Sequence, residues 1–137
     1  MSPNDPVWVM ANGCFDGLHI GHILHLVQAA KMGDRLVIAL TADNFVNKGP
    51  GRPFFDAYER GEHLRELRCV DHVIICNDLL DAMTEIRPDI FVKGDEYINK
   101  LEPRHEEYFA EHKILVRFTH TPKFSSTTLL SDRLRPR

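Results

Sequence analysis

Apolar positions in this chain fall into short continuous runs, separated by longer stretches in which they recur every three or four residues. Val7, Trp8, Val9, Met10 and Ala11 form the first run, and 35–40, 71–76, 89–92 and 113–118 repeat the type. Runs of this length, rich in β-favouring residues, predict strands buried on both faces. Ile20, Ile23, Leu24, Val27 and Ala30 recur at helical spacing and predict a helix from about 20 to 32, with Gly33 as its C-cap. Asp56 followed by Glu59 resembles a capping box and starts a second helix over 57–68, although Gly61 inside it costs roughly 1 kcal/mol against alanine. Asn77 and Asp78 cap a short helix carrying Leu79, Leu80, Met83 and Ile86, which Pro88 ends. Residues 96–112 are polar and partly helical, with Pro103 near a helix start. Ser125, Ser126, Thr127 and Thr128 open a last helix containing Leu129, Leu130 and Leu134.

Strands alternating with helices predict an α/β fold: a single-domain, Rossmann-like, five-stranded parallel sheet with right-handed crossovers and helices on both faces. The length of 137 residues suits one domain over 1–137, with 1–6 as an N-terminal tail. Ligands of such sheets sit at the carboxyl ends of the strands. The loops at 13–22, 48–53, 93–95 and 121–128 lie there and can converge on one cleft.

Composition narrows the function. A net charge of −3 argues against a nucleic-acid binder, which needs a broad basic face. It leaves room for a small anionic substrate if positive charge is concentrated locally. No apolar run approaches the ~18 residues of a membrane span, and residues 1–6 lack the basic and apolar regions of a secretory signal. The three cysteines, Cys14, Cys69 and Cys76, form no C-x-x-C pair and read as reduced thiols of a cytoplasmic protein.

The chemistry concentrates in Gly13-Cys14-Phe15-Asp16-Gly17-Leu18-His19-Ile20-Gly21-His22, a strand-to-helix turn. A helix N-terminus offers unpaired amides and partial positive charge to an anion. His19 and His22, three residues apart, project to the same side of the first helical turn. They suit contacts to a phosphate; a half-buried structural pair, or a metal site completed by His25, is the alternative. His25 falls off the shared face and reads as surface. Gly13 and Gly21 allow backbone to approach a ligand where a side chain would collide. Asp16 reads as fixing its own turn through side-chain to backbone bonds rather than as a direct catalyst. Lys48-Gly49-Pro50-Gly51-Arg52-Pro53 is a basic, Gly/Pro-dense loop, either a solvated surface loop or a cover over the cleft.

The G-x-F-D-x-x-H-x-G-H pattern formed by Gly13, Phe15, Asp16, His19, Gly21 and His22 resembles the signature of the cytidylyltransferase-like nucleotidyltransferases. The resemblance extends from about 7 to 130. A literal H-I-G-H also occurs in class I aminoacyl-tRNA synthetases, but this chain is far shorter and has no K-M-S-K-S loop. K-G-P-G-R-P resembles the branch that adenylylates heptose 1-phosphate. Val92-Lys93-Gly94-Asp95 is similar to the family's strand-end segment beside base and ribose, where the heptose enzymes carry an extra glycine. Pro122-Lys123-Phe124-Ser125-Ser126-Thr127-Thr128 resembles the family's closing S-T-T box, with Lys123 as a point charge where the glycerol 3-phosphate branch has an arginine. Ordinary N-capping by Ser126 and Thr127 is compatible with that role.

What the resemblance implies is transfer of a nucleoside monophosphate, AMP in the favoured reading, from a nucleoside triphosphate to a sugar phosphate such as heptose 1-phosphate, with release of pyrophosphate. His19, His22, Lys48 and Arg60 would be catalytic. Gly13, Cys14, Phe15, Asp16, Gly21, Lys93, Gly94, Asp95, Lys123, Ser125, Ser126 and Thr127 would bind the nucleotide. The resemblance also implies Mg²⁺ brought with the triphosphate, no protein side-chain metal site, no nucleic-acid or membrane partner, and a homodimer. Two alternatives stand beside it: a CTP-dependent enzyme acting on glycerol 3-phosphate or another alcohol phosphate, and a nucleotide-binding regulatory subunit without catalysis.

Overall fold

The computed structural model describes residues 3–122, so Lys123 and the predicted last helix lie outside the described residues. Among the described residues five strands and four α-helices alternate: β1 (Trp8–Gly13), α1 (Ile20–Ala30), β2 (Arg35–Thr41), α2 (Ala57–Arg65), β3 (His72–Cys76), α3 (Leu79–Ile86), β4 (Ile90–Gly94), α4 (Pro103–Glu111) and β5 (Leu115–Thr119). Every strand pairing is parallel, in the order β3-β2-β1-β4-β5. The expected α/β sheet is therefore present, and its order reverses direction between β1 and β4.

The continuous apolar runs are explained by burial on both sides of the sheet. Val9 and Ala11 of β1, with Leu36, Ile38 and Leu40 of β2, pack against Leu26 and Ala29 of α1 and Leu64 of α2. The intervening Met10, Val37 and Ala39 point the other way, to Leu79 and Met83 of α3 and Phe109 of α4. Successive residues of one strand thus serve two cores.

The amino ends of the strands are closed by aspartates. Asp89 accepts the Trp8 amide at 2.8 Å, and its own amide donates to the Trp8 carbonyl. Asp71 makes the same exchange with Leu36, and the Asp34 carboxylate accepts the Val7 amide. These residues therefore lie just outside β3 and β4, which begin one residue later than the apolar pattern predicts. Strand β5 begins two residues later, because Lys113 takes a left-handed φ of 57° and the Ile114 amide bonds back to Phe109 at the end of α4.

Gly33 has a different role from the one expected. The residue capping α1 is Lys31, in a right-handed conformation. A Cβ on Gly33 would lie 2.7 Å from a Val9 methyl and 2.8 Å from the Val7 carbonyl, so this glycine permits close approach to the start of β1.

Arg60, expected to be catalytic, is fully buried at 0% exposure. Its guanidinium donates to the carbonyls of Phe55, Cys14 and Thr41 and to the Asp43 carboxylate, at 2.7–2.9 Å. One side chain from α2 therefore ties together the residues following β1 and β2 and the residues preceding α2. Arginine suits this because its planar fork carries five donors, where lysine offers one ammonium centre. Replacing Arg60 by methionine leaves three carbonyls and a carboxylate without their partner. Stability is expected to fall by roughly 3 kcal/mol, with Arg60→Lys recovering only part. Urea unfolding curves check this; an unchanged midpoint contradicts it.

Candidate active site

A cavity of about 560 Å³ opens at the carboxyl ends of β1 and β4, where the strand order reverses. Its volume is in the range of ligand pockets. The turn after β1 supplies one wall, from Asn12 to His22; Lys48 and Arg52 add to the lining from the loop before α2, and Lys93, Gly94, Glu96 and Tyr97 close the β4 side. The four loops picked out in the sequence thus converge in part: Thr121 and Pro122 reach the cavity, while Lys123, Ser125, Ser126 and Thr127 lie outside the described residues.

The turn is held by its own histidines. His19 is the N-cap of α1, and its Nδ1 accepts the Gly21 amide at 3.0 Å. His22 Nδ1 accepts the His19 amide at 3.3 Å, completing a reciprocal capping box built from imidazoles. An imidazole nitrogen that accepts a hydrogen bond carries no proton, so each neutral ring has its proton on Nε2. The centroids lie 3.9 Å apart, and both rings line the cavity. No acidic residue occupies the first turn of α1, so the positive end of the helix is left for an anion.

Burial, then the neighbouring His19, Lys48 and His25, push the His22 pKa down to about 4. Burial also lowers that of His19. At neutral pH the pair is therefore uncharged and offers two N–H donors. The glycines make room for this arrangement. A Cβ on Gly21 would lie 2.8 Å from the His19 ring, and one on Gly13 would lie 2.9 Å from the Phe15 ring. Phe15, at a left-handed φ of 49°, packs edge-on against His22.

Positive charge comes from two segments. Lys48 lies in the exposed 47–51 stretch. Lys93, at the end of β4, donates to the Asn12 carbonyl at 3.1 Å and sits 4.5 Å from the centre of the Tyr97 ring. Burial lowers its pKa to about 8. Asp95 lies near the cavity rather than in its wall, and its carboxylate meets His120 at 3.2 Å. Glu96 is in the wall instead, with its carboxylate folded onto Gly94 in space that a Cβ there would fill.

Several lining residues were not singled out by the sequence. His25, read as surface, is part-buried and shares a hydrogen bond with Thr119, which is 1% exposed. Gln28 exchanges two hydrogen bonds with the main chain of His120, fixing the exit of β5 to α1. His25 and Gln28 lie on α1 with His22, but their partners are more than ninety residues away in sequence. Thr41 and Thr119 end β2 and β5, so placement at a carboxyl strand end is the signal that finds them.

Two pH effects follow. The unfolded His22 imidazole gains its proton near pH 6.5 and the folded one near 4, so its stabilising effect is complete above 6.5 and lost as pH falls through 4. His22→Gln, which keeps a capping acceptor, is expected to lose less stability than wild type between pH 7 and 4.5; equal losses in urea titrations contradict this. Lys93 is charged below about pH 8, so inorganic pyrophosphate affinity should drop as pH rises through 8. Lys93→Met should abolish that step in calorimetric titrations; persistence of the step would assign it elsewhere.

Comparison with known proteins places the chain in a family. A family model described as cytidylyltransferase-like matches residues 10–132. The chain is 42% identical over 93 residues to the bifunctional protein HldE of Syntrophotalea carbinolica, covering 65% of this chain and 19% of that protein. It is 41% identical over 114 residues to HldE of Helicobacter hepaticus, covering 80% of this chain and 23% of that one. It therefore spans about a fifth of the length of these relatives. The lipopolysaccharide core biosynthesis protein of Thermoplasma volcanium superposes with a TM-score of 0.71 at 31% identity, over 88% of this chain and 100% of that one. Pantothenate synthetase from Thermus thermophilus, at 13% identity and TM-score 0.58 over 91% of this chain and 58% of that one, shares the fold alone. The turn and the family match agree, and the chain belongs to the cytidylyltransferase-like nucleotidyltransferases.

Proposed function

We propose that this protein transfers AMP from ATP to a sugar phosphate such as heptose 1-phosphate, releasing pyrophosphate. The observation that carries the reading is the pair of neutral imidazoles at the mouth of α1, faced by Lys48 and Lys93 in one cavity. In this reaction an acceptor phosphate oxygen forms a bond to the α-phosphorus. The bond from that phosphorus to the bridging oxygen breaks, and its electron pair leaves with pyrophosphate. Little covalent chemistry is required of the protein, so positioning and charge neutralisation dominate. His19 and His22 would donate Nε2–H bonds to oxygens on the reacting phosphorus. Lys48 and Lys93 would balance the negative charge of the phosphates.

Sugar phosphate as acceptor is favoured by the K-G-P-G-R-P loop and by 31% identity to a lipopolysaccharide core biosynthesis protein. Mg²⁺ fits as a companion of the triphosphate. Among the described residues no group of three or more His, Cys, Asp or Glu side chains is placed to hold a metal ion, and the cavity wall is rich in cations and donors. The triphosphate's own oxygens would therefore hold it, and it would neutralise phosphate charge there. A cytoplasmic setting is in keeping with three free cysteines. Among the described residues no helix is long and apolar enough to cross a membrane. Exposed Phe45, Phe54 and Tyr58 near the start of α2 offer an apolar surface that a homodimer would cover.

The test is pyrophosphate release from ATP or CTP with heptose 1-phosphate or glycerol 3-phosphate as acceptor. Turnover is expected for ATP with the heptose phosphate, and His22→Ala should lower kcat by about 100-fold or more. A preference for CTP and glycerol 3-phosphate would replace the substrate assignment. Nucleotide binding with no pair turned over faster than by His22→Ala would leave a binding protein without catalysis.

A further inference from the structure

Asp16 was expected to fix its own turn, yet its carboxylate reaches a different part of the chain. Oδ2 accepts Arg52 Nε and the Phe54 amide, both at 2.7 Å, and Oδ1 accepts the Phe55 amide at 2.9 Å. The Asp16 carbonyl takes a longer bond from Arg52 Nη2 at 3.4 Å. These partners are 36 to 39 residues away in sequence. The Asp16 side chain has 0% exposure, and the Arg52 guanidinium lies 4.1 Å from the centre of the Phe54 ring. Burial alone would raise the Asp16 pKa, but the Phe55 and Phe54 amides and Arg52 together hold it below the usual carboxylate range.

The segment clasped in this way carries Lys48 four residues upstream of Arg52. Between them Gly49 and Gly51 take left-handed φ values of 106° and 76°, and the Arg52 amide bonds back to the Gly49 carbonyl. The chain therefore doubles back immediately before the clasp, which sets where the exposed Lys48 can reach. We propose that Asp16 is a positioning residue: it fastens 52–55 to the histidine turn and so holds Lys48 over the cavity, at a polyphosphate. This rests on the nucleotidyl-transfer reading and adds to it how the basic loop is joined to the catalytic turn. The chemistry needs a carboxylate. An asparagine would turn an NH₂ group toward one of three donors, so Asp16→Asn exchanges attraction for repulsion at almost unchanged volume.

The experiment has two arms. Trypsin cuts after Lys48, whereas Pro53 protects the bond after Arg52, so the rate at the Lys48–Gly49 bond reads release of the loop without any substrate. Asp16→Asn is expected to raise that rate about tenfold while the bond after Arg104 on α4 is cut as in wild type. Arg52→Gln, which keeps both amide bonds to Asp16, should give an intermediate rate and serves if Asp16→Asn does not fold. The second arm measures inorganic pyrophosphate binding in a double-mutant cycle. Asp16→Asn should weaken it about tenfold in the wild-type background and less than twofold in Lys48→Ala. Equal fold-losses in both backgrounds, or an unchanged cleavage rate for both Asp16→Asn and Arg52→Gln, would overturn the proposal. Failure of the wild-type protein to bind pyrophosphate would instead overturn the functional reading, with the trypsin arm still testing the clasp.

Discussion

The opening turn of α1 has amides that no helix can satisfy internally, and this chain satisfies two of them with imidazole nitrogen. That single choice sets much of the site. Each ring spends Nδ1 on the backbone, so its proton is confined to Nε2. Each ring is half-buried, so it remains neutral where an exposed histidine would begin to charge. A carboxylate cap would also have held the helix, but being acceptor-only it would have turned no donor toward the cavity. Here the helix cap and the donors turned to the cavity are two ends of the same side chains.

Around that turn, two arginines perform different tasks that sequence alone does not separate. Arg60 gives its donors to three carbonyls and to Asp43, and with no exposure it serves to hold the loops around it. Arg52 reaches the cavity wall while bonded to Asp16. Phe55 joins the two networks: its carbonyl accepts from Arg60 and its amide donates to Asp16. The residues after β1, after β2 and before α2 are therefore held in a fixed relation, with Lys48 in an exposed stretch between them. The net charge of −3 does not oppose local positive charge: Lys48, Arg52 and Lys93 all line the one cavity at this end of the sheet.

The architecture was legible because its cause is local. Val9, Met10 and Ala11 are all apolar because adjacent residues of a doubly covered strand face different cores, and the helices show their buried stripe every third or fourth residue. The turn after β1 was legible for the same reason, since glycines and histidines occur at close spacing. What was misread depends on distant partners. Asp16 followed by Gly17 looks like a self-contained turn until Arg52, Phe54 and Phe55 are brought beside it. His25 looks like surface until β5 places Thr119 against it. Gly33 looks like a cap until Val7 and Val9 pack on it. Arg60 carries no local sign that three carbonyls lie within reach of its guanidinium.

Two neutral, Nε2-protonated imidazoles lining the cavity carry the proposed function. The most direct measurement is long-range ¹H–¹⁵N correlation of the histidine rings at pH 7, without and with inorganic pyrophosphate. Neutral Nε2–H tautomers at His19 and His22, with both sets of resonances displaced by pyrophosphate, are the predicted result. Imidazolium rings, Nδ1–H tautomers, or resonances indifferent to pyrophosphate would contradict it.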